Sequence, residues 1–568
     1  MTDSTAPLAA QTALVTALAR MLGAGGQPAQ CFDTHISWVL VAGGYAYKIK
    51  KAVKLDFLDC STLAARRRLC EEELRLNRRL SPTLYVDVVA VTGDAAQPRL
   101  GDDGKGEAIE YAVRMHAFAQ TALWSRRLDE GSLSVQEVDA LADLLGRFHQ
   151  QAAAASAGTA WGRPESLAAT AAATFDAIAR LAPDQASQAT LARLRAWDAA
   201  EHRRLAPEFA ARKDAGMVRE CHGDLHLGNI VTTEGGVGVF DCIEFSEPLR
   251  WIDVINDLAF AYMDLACRQR RDLATRLLNG YLAQTGDYAG LVLLAYYSMH
   301  RALVRCLVML LRAAQAVSKV ARDAARREAL AYLAHAARLT GAPKPAVLIT
   351  HGCSGSGKTT FSREAAALLG AAHLRSDIER KRLHGLQPLD RSGAAHASPL
   401  YDADATRRTY ERLLALTRAV AAAGMVALVD AAFLDAAQRR PFARYAARAK
   451  LPFRIFDLRA SPAVMMQRLA LRANAGADAS DADAAVLARQ LAHARPLSDA
   501  EMAHAIAVDA DRLSPGDVAG LCMALAHALG IDCQPSPDTQ NGHKAQEAHG
   551  DGFAGQIDAS QGHARGSS

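Results

Sequence analysis

Apolar and polar positions alternate from residue 31 to 118, with glycines at the breaks, which is the period-two pattern of half-buried strands. HISWVLV and YAYKIK read as two strands joined by Ala42-Gly43-Gly44. A charged helix over about 61–80 separates them from another strand, EAIEYAVRM. From about 134 to 213 the pattern lengthens to a helical period in an Ala- and Leu-rich stretch, with Pro164, Pro183 and Pro207 as predicted breaks. A strand-loop-strand region over 217–245 leads into apolar helices from 252 to about 339. The most apolar stretch, 291–311, carries His300, Arg301 and Arg305, so it reads as a buried helix rather than a membrane span. Gly341-Ala342-Pro343-Lys344-Pro345 interrupts the pattern. Beyond it AVLITH, MVALVD, FRIFDL and AIAVDA alternate with helices, which predicts a parallel α/β sheet. The expected domains are 1–340, a linker over 341–345, a second domain over 346–532 and a tail over 533–568. The tail is rich in Gly, Ser, Gln, His and Asp and is expected to be disordered.

Composition narrows the function classes. The 568 residues are 50% hydrophobic and 22% charged, which excludes a wholly disordered chain. Lys plus Arg is 65 and Asp plus Glu is 61, so no whole-chain field draws nucleic acid or an anionic membrane. The ten cysteines form no CxxC pair, against a zinc ribbon or a thioredoxin-type site. Reduced thiols and an N-terminus without a basic n-region give a cytoplasmic expectation.

Gly352-Cys353-Ser354-Gly355-Ser356-Gly357-Lys358-Thr359 fits GxxxxGK[ST], follows an apolar strand and opens a helix at Thr360. Glycines let backbone N–H groups turn toward phosphate oxygens, and the helix N-terminus adds a positive dipole. Lys358 is expected on the β/γ-phosphates and the Thr359 hydroxyl on Mg²⁺. Asp377, after the next short segment, is read as general base for an acceptor hydroxyl or as the N-cap of a helix over 378–383. Asp430 ends MVALVD and is expected to hold the Mg²⁺ water. Arg468 and Arg472 share one helix face, as a lid over the phosphates or as a solvated surface. GCSGSGKTT, LRSDIERKRL, VDAAF and RLALR make residues 345–530 resemble the small P-loop kinases of the gluconate-kinase, shikimate-kinase and zeta-toxin group. Many of those relatives have DAT where this chain has Asp430-Ala431-Ala432.

The first half carries a second phosphoryl-transfer pattern. His222-Gly223-Asp224 leads to Asn229, and Asp241 follows twelve residues later in VGVFDCIEF. Asp224 suits an acceptor-hydroxyl base, Asn229 and Asp241 suit Mg²⁺, and His222 suits a brace for the loop. A zinc hydrolase is the rival for these residues; the Asn and the spacing favour phosphoryl transfer. The segment resembles the aminoglycoside-phosphotransferase-like kinases, whose loop reads HGDxHxxN, over about 30–335. The resemblance implies a two-lobed, protein-kinase-like α+β domain, with Asp257 of NDLAF supporting the loop. It also implies Lys48, with Lys50 in reserve, on the ATP phosphates and Glu73, with Glu72 in reserve, as the lysine's partner. Two departures stand out. No GxGxxG is present, leaving THISWV and Ser37 to cover the phosphates, and Glu244 adds a carboxylate to the metal site or the acceptor site.

As a whole the sequence resembles the bifunctional aminoglycoside phosphotransferase/ATP-binding protein family, a name that records homology and not drug modification. The expected function is an ATP/Mg²⁺-dependent kinase with two nucleotide sites and a small hydroxyl-bearing substrate. Two rivals stay open: a regulatory protein in which one ATP site is a sensor, and a nucleic-acid-end kinase. Near-neutral charge and the lack of an aromatic-basic strip oppose the second.

Overall fold

The computed structural model describes residues 5–24, 27–55, 58–101, 106–182, 184–388, 390, 400, 402–475, 480, 482–531 and 533. Apart from Cys533, the tail lies outside the described residues, as does Pro183. The chain divides into two units. One comprises Met1–Arg268 and Gly280–Gly341; the other takes Gln269–Asn279 together with everything from Ala342 onward.

In the first unit six antiparallel strands run in the order Gln30–Asp33, Ser37–Ala42, Tyr45–Lys50, Glu110–His116, Tyr85–Gly93 and Pro98–Leu100. Both faces of this sheet are covered. Trp38, Leu40, Ile49 and Val91 pack with Leu14 and Leu18 of helix Thr5–Gly23. Ala46, Val113 and Met115 pack with Cys70 of helix Leu63–Asn77. Strand alternation therefore sends Lys48 and Lys50 toward the second helix, opposite to Ile49. That helix starts at an N-cap, where Thr62 Oγ1 accepts the Ala65 N–H at 3.2 Å. Its buried positions Arg66, Cys70, Glu73 and Asn77 follow helical spacing, which aims Glu73 at the sheet.

The rest of this unit is helical, with two small antiparallel pairs, Ile230–Thr233 with Gly236–Val239 and Val218–Glu220 with Trp251–Asp253. The first pair lies within the segment from His222 to Asp241, and the second flanks it. Pro207 does not break the chain: helix Gln185–Asp214 runs through it. Leu205 and Phe209 are buried on either side, and this packing works against the cost of an interior proline, ~3 kcal/mol for the lost hydrogen bond and the ring clash together. Helix Leu291–Gln315 is long and apolar enough to cross a membrane, yet it packs along Val254–Cys267 and Lys319–Leu339. Its Arg301 is buried and donates to the Gly223 carbonyl.

The second unit is a five-stranded parallel sheet in the order Ala372–Arg375, Ala427–Asp430, Val347–His351, Phe453–Arg459 and Ala505–Asp509. Val347–His351 is central and buried except at its last residue, His351, which is half-buried. Its carboxyl end opens directly into the glycine-rich loop, where open α/β sheets place their ligands. Helices Lys358–Leu369 and Pro515–Leu529 close one face through Phe361, Leu369, Phe456 and Cys522.

Candidate nucleotide and phosphoryl-transfer sites

Helix Leu63–Asn77 brings Glu73, fully buried, between the two lysines of strand Tyr45–Lys50. Glu73 Oε1 accepts from Lys48 Nζ at 2.9 Å, and Oε2 accepts from Lys50 Nζ. Lys48 also reaches Asp241 Oδ1, 193 residues away. Burial disfavours the Lys48 charge, but Asp241 and Glu73 outweigh it and raise its pKa well above the ordinary value. Lys50 takes a role of its own: its ammonium sits between Glu73 and Glu244 and is 1% exposed. Glu244 is thus a buried counterion to Lys50 rather than a free carboxylate for metal or acceptor. Glu72, the reserve partner, faces Arg75 and Arg250 instead.

The segment after Glu220 is fixed by Asp257. Its Oδ2 accepts the His222 N–H at 3.0 Å and its Oδ1 the Gly223 N–H at 2.8 Å. His149 Nε2 lies 3.1 Å from Oδ2. Burial raises the Asp257 pKa, but His149 and His222 hold it down to about 2. His149, Cys221 and Asp257 are close enough to suggest a metal trio, but the Asp257 oxygens are committed to these three donors. His222 Nδ1 accepts the Asp224 N–H at 3.2 Å, so its other ring nitrogen, 3.0 Å from the Phe240 carbonyl, is the donor. Burial lowers the His222 pKa, which favours this neutral form. The ring thereby ties the loop to the strand that delivers Asp241. Asn229 Nδ2 donates to the Asp224 carbonyl at 3.0 Å and to Asp224 Oδ2 at 3.1 Å. The Asp224 and Asp241 side chains remain 34% and 44% exposed, open to a ligand while their neighbours are buried. Asp241 sits at φ 65°, and its N–H donates to the Tyr85 hydroxyl at 3.1 Å. Ser37 is buried, with an Oγ that has no hydrogen-bond partner among the described residues.

In the second unit the loop from Gly352 to Gly357 curls at three glycines of positive φ. At Gly355 (φ 81°) a Cβ would lie 2.6 Å from the Met465 carbonyl, so no side chain fits there. Lys358 Nζ donates to the Cys353 carbonyl at 2.8 Å, the Ser354 N–H to Gln490 Oε1 at 2.7 Å and the Ser356 N–H to the Cys353 carbonyl at 3.2 Å. Ser356 Oγ is buried without a partner among the described residues. Burial lowers the Lys358 pKa, opposed by Asp430 and Asp377. A cavity of about 980 Å³ follows the loop, lined by Lys358, Thr359, Thr360, Asp377, Asp430 and Arg468 among others. Arg468 lies along the loop, with one nitrogen 3.5 Å from the Gly355 carbonyl and another donating to the Ala510 carbonyl at 2.7 Å. Arg472 also lines the cavity and donates to the Ala482 carbonyl at 2.7 Å. Helix Ser376–Leu383 has Arg375 at its N-cap, so Asp377 lies in its first turn and the capping reading falls.

His373 was not legible as a site residue. Its Nε2 lies 3.2 Å from Asp430 Oδ2, and burial lowers its pKa. Asn279 fixes the backbone at this point, donating to the Ala371 carbonyl and accepting the His373 N–H, each at 2.9 Å. Burial raises the Asp430 pKa, but His373 and the neighbouring cations bring it down to about 2. A strand residue that contacts the site across a neighbouring strand carries no motif.

Residues 61–294 match the phosphotransferase enzyme family, and residues 347–497 match the AAA domain. Uncharacterized protein Rv2004c of Mycobacterium tuberculosis is 30% identical over 471 residues, 81% of this chain and 89% of that protein. Mb2027c of Mycobacterium bovis matches with the same figures. The chain belongs to the bifunctional aminoglycoside phosphotransferase/ATP-binding protein family. Its first unit matches a family of phosphotransferase enzymes, and the chain is a kinase. A choline/ethanolamine kinase family protein from Mesorhizobium loti is 12% identical, covering 59% of this chain and 99% of its own, with a TM-score of 0.34. A sugar kinase from Janibacter sp. HTCC2649 is 19% identical, covering 34% and 98%, with a TM-score of 0.26.

Proposed function

We propose that each unit holds an ATP/Mg²⁺ site and that γ-phosphate passes to a small hydroxyl-bearing metabolite. The carrying observation is the meeting of Lys48, Glu73 and Asp241 beside the Asp224–Asn229 pair, from segments far apart in sequence. Hard oxygen donors at Asp241 and Asn229 fit Mg²⁺. The second set fits as well: the N–H groups of Gly355 and Gly357 have no protein acceptor among the described residues, and the loop excludes a Cβ at Gly355. Bound Mg²⁺–ATP supplies the transferable phosphoryl group and neutralises charge on its oxygens.

In the first site Lys48 turns its ammonium to the phosphates while Glu73 keeps it in place. Asp224, oriented by Asn229, takes the acceptor's hydroxyl proton on a carboxylate oxygen. His222 keeps this loop in register with Asp241. In the second site Lys358 and Arg468 face the phosphates, Thr359 and Asp430 serve the metal, and Asp377 takes the proton. The 980 Å³ cavity has room for nucleotide plus a metabolite-sized acceptor.

The test uses the full chain carrying Lys358→Ala, so that transfer reports on the first site. Asp224→Asn should lower acceptor phosphorylation by ~10²–10⁴ while nucleotide affinity stays within about twofold. Asp241→Asn should instead weaken Mg²⁺-nucleotide binding, because it removes a charge from the metal. Transfer that survives Asp224→Asn would remove Asp224 as the base.

A further inference from the structure

Helix Leu291–Gln315 runs beneath the first site and presents Arg301 and Arg305 one turn apart, on a single face. Arg301 is 8% exposed. One terminal nitrogen donates to the Gly223 carbonyl at 3.1 Å, and its Nε donates to the Asn256 carbonyl at 3.2 Å. Its guanidinium lies 4.8 Å from the Phe260 ring centroid. The remaining terminal nitrogen is buried without a partner among the described residues. Arg301 is therefore pinned to the backbone immediately before Asp224.

Arg305 is the less satisfied of the two. Its Nε is buried with no hydrogen-bond partner, and no carboxylate lies within ion-pair distance of its guanidinium among the described residues. It rests against Tyr332, 5.8 Å from the ring centroid. The acids whose charge it feels are committed elsewhere. Asp264 gives Oδ1 to the Tyr332 hydroxyl at 2.7 Å and Oδ2 to the Leu227 N–H at 3.0 Å. Asp224 gives Oδ2 to Asn229 and lies 3.5 Å from His226 Nε2. Burial raises the Asp224 pKa, but His226 and Arg305 hold it well below the usual carboxylate range. A largely buried guanidinium without a direct anionic partner is costly to keep. Planar guanidinium donors suit carboxylate and phosphate oxygens in particular.

We infer that the first site selects acceptors that carry an anionic oxygen group beside the reacting hydroxyl, with Arg305 binding that group and Arg301 contributing its unused nitrogen. The inference rests on Asp224 as the proton-accepting residue of the proposed function. It makes the acceptor a hydroxy acid or a hydroxylated phosphate ester. A cationic amine would face two guanidiniums and be disfavoured.

The experiment takes the full chain carrying Lys358→Ala, saturated with Mg²⁺ and a non-hydrolysable ATP analogue. Glycerate, glycerol 3-phosphate, glycerol and choline are titrated as carboxylate, phosphate, neutral and cationic probes, each with a primary hydroxyl. At least one of the first two should bind about tenfold or more tightly than the last two, as a charge-assisted hydrogen bond implies. The arm that wins names the anionic group. Arg305→Gln should erase the preference with nucleotide affinity within about twofold, and Arg305→Lys should retain part of it. Melting curves of both variants separate misfolding from lost recognition. Equal binding of all four probes, preference for glycerol or choline, or a preference that survives Arg305→Gln overturns the inference. A parallel assay with ATP and Asp224→Asn keeps the two claims apart. Transfer to a neutral acceptor that Asp224→Asn abolishes would sink the anion selection alone, whereas transfer that ignores Asp224→Asn would sink the assignment of the site.

Discussion

Glu73 gives one carboxylate oxygen to each of two buried lysines, and each lysine has one further acid, Asp241 for Lys48 and Glu244 for Lys50. The two outer acids differ in exposure: Asp241 opens to solvent, while Glu244 is closed in. Under the proposed function Lys48 exchanges Asp241 for phosphate, whereas Lys50 remains to balance Glu73. Glu73→Gln should destabilise the chain by about 3–5 kcal/mol, because it leaves buried charge uncompensated. Urea denaturation checks this, and a loss below about 1 kcal/mol would mean that Asp241 and Glu244 alone satisfy the lysines. A backbone position makes the matching case in the second unit. Gly355→Ala meets both a positive φ and a carbonyl 2.6 Å from its Cβ, so the loop must shift. Nucleotide binding in that unit should fall sharply while the first site keeps its affinity, read as a titration endpoint dropping from two equivalents to one.

On helix Lys319–Leu339, His335 is buried, and Arg338 approaches its Nδ1 at 3.3 Å. Its Nε2 is buried without a partner among the described residues. Burial, with a smaller push from Arg338, lowers its pKa from 6.5 to about 4. The folded state therefore binds the proton more weakly than the unfolded chain. Its contribution is complete above about pH 6.5 and is lost as pH falls toward 4, amounting to up to about 3 kcal/mol. His335→Leu should flatten the stability profile across that window, as measured by melting temperature from pH 4 to 7. Elements of this kind also show what the sequence could reveal. The period-two run from HISWVLV to YAYKIK and the strand before the phosphate loop were legible because local patterning and packing agree. Pro207 misled because burial of Leu205 and Phe209 overrides a local preference. The short strand Trp251–Asp253 has no pattern of its own and forms against Val218–Glu220, 31 residues away at Glu220 and Trp251. The same limit hid the Lys50–Glu244 pair and the His373–Asp430 contact, which the fold creates between distant residues. The motifs that were legible, HGDLHLGN and GCSGSGKT, draw most of their chemistry from one continuous loop.

For the whole molecule, the proposed function leaves one choice to experiment: whether the site proposed in the second unit transfers phosphate or senses ATP. The proposal assigns it both halves of a kinase: Lys358, which donates to the Cys353 carbonyl of the glycine-rich loop, and Asp377 on the same 980 Å³ cavity, in the first turn of a helix that it does not cap. A sensor needs the first half only. The deciding experiment silences the first site with Asp224→Asn in the full chain, so that acceptor-dependent turnover reports on the second. If the second site is a kinase, Asp377→Ala should lower that turnover by ~10²–10⁴ and leave nucleotide affinity nearly unchanged. Lys358→Ala should abolish turnover and weaken nucleotide binding together, since its charge serves the phosphates in the ground state and in the transition state alike. If the site is a sensor, slow ATP hydrolysis should be indifferent to Asp377→Ala. With Asp224 restored, Lys358→Ala should then change the first site's acceptor KM or rate, the signature of a coupling free energy between two sites. Acceptor-dependent turnover lost on Asp377→Ala excludes a pure sensor. Turnover absent across a broad metabolite pool, with first-site kinetics shifted by Lys358→Ala, excludes the kinase.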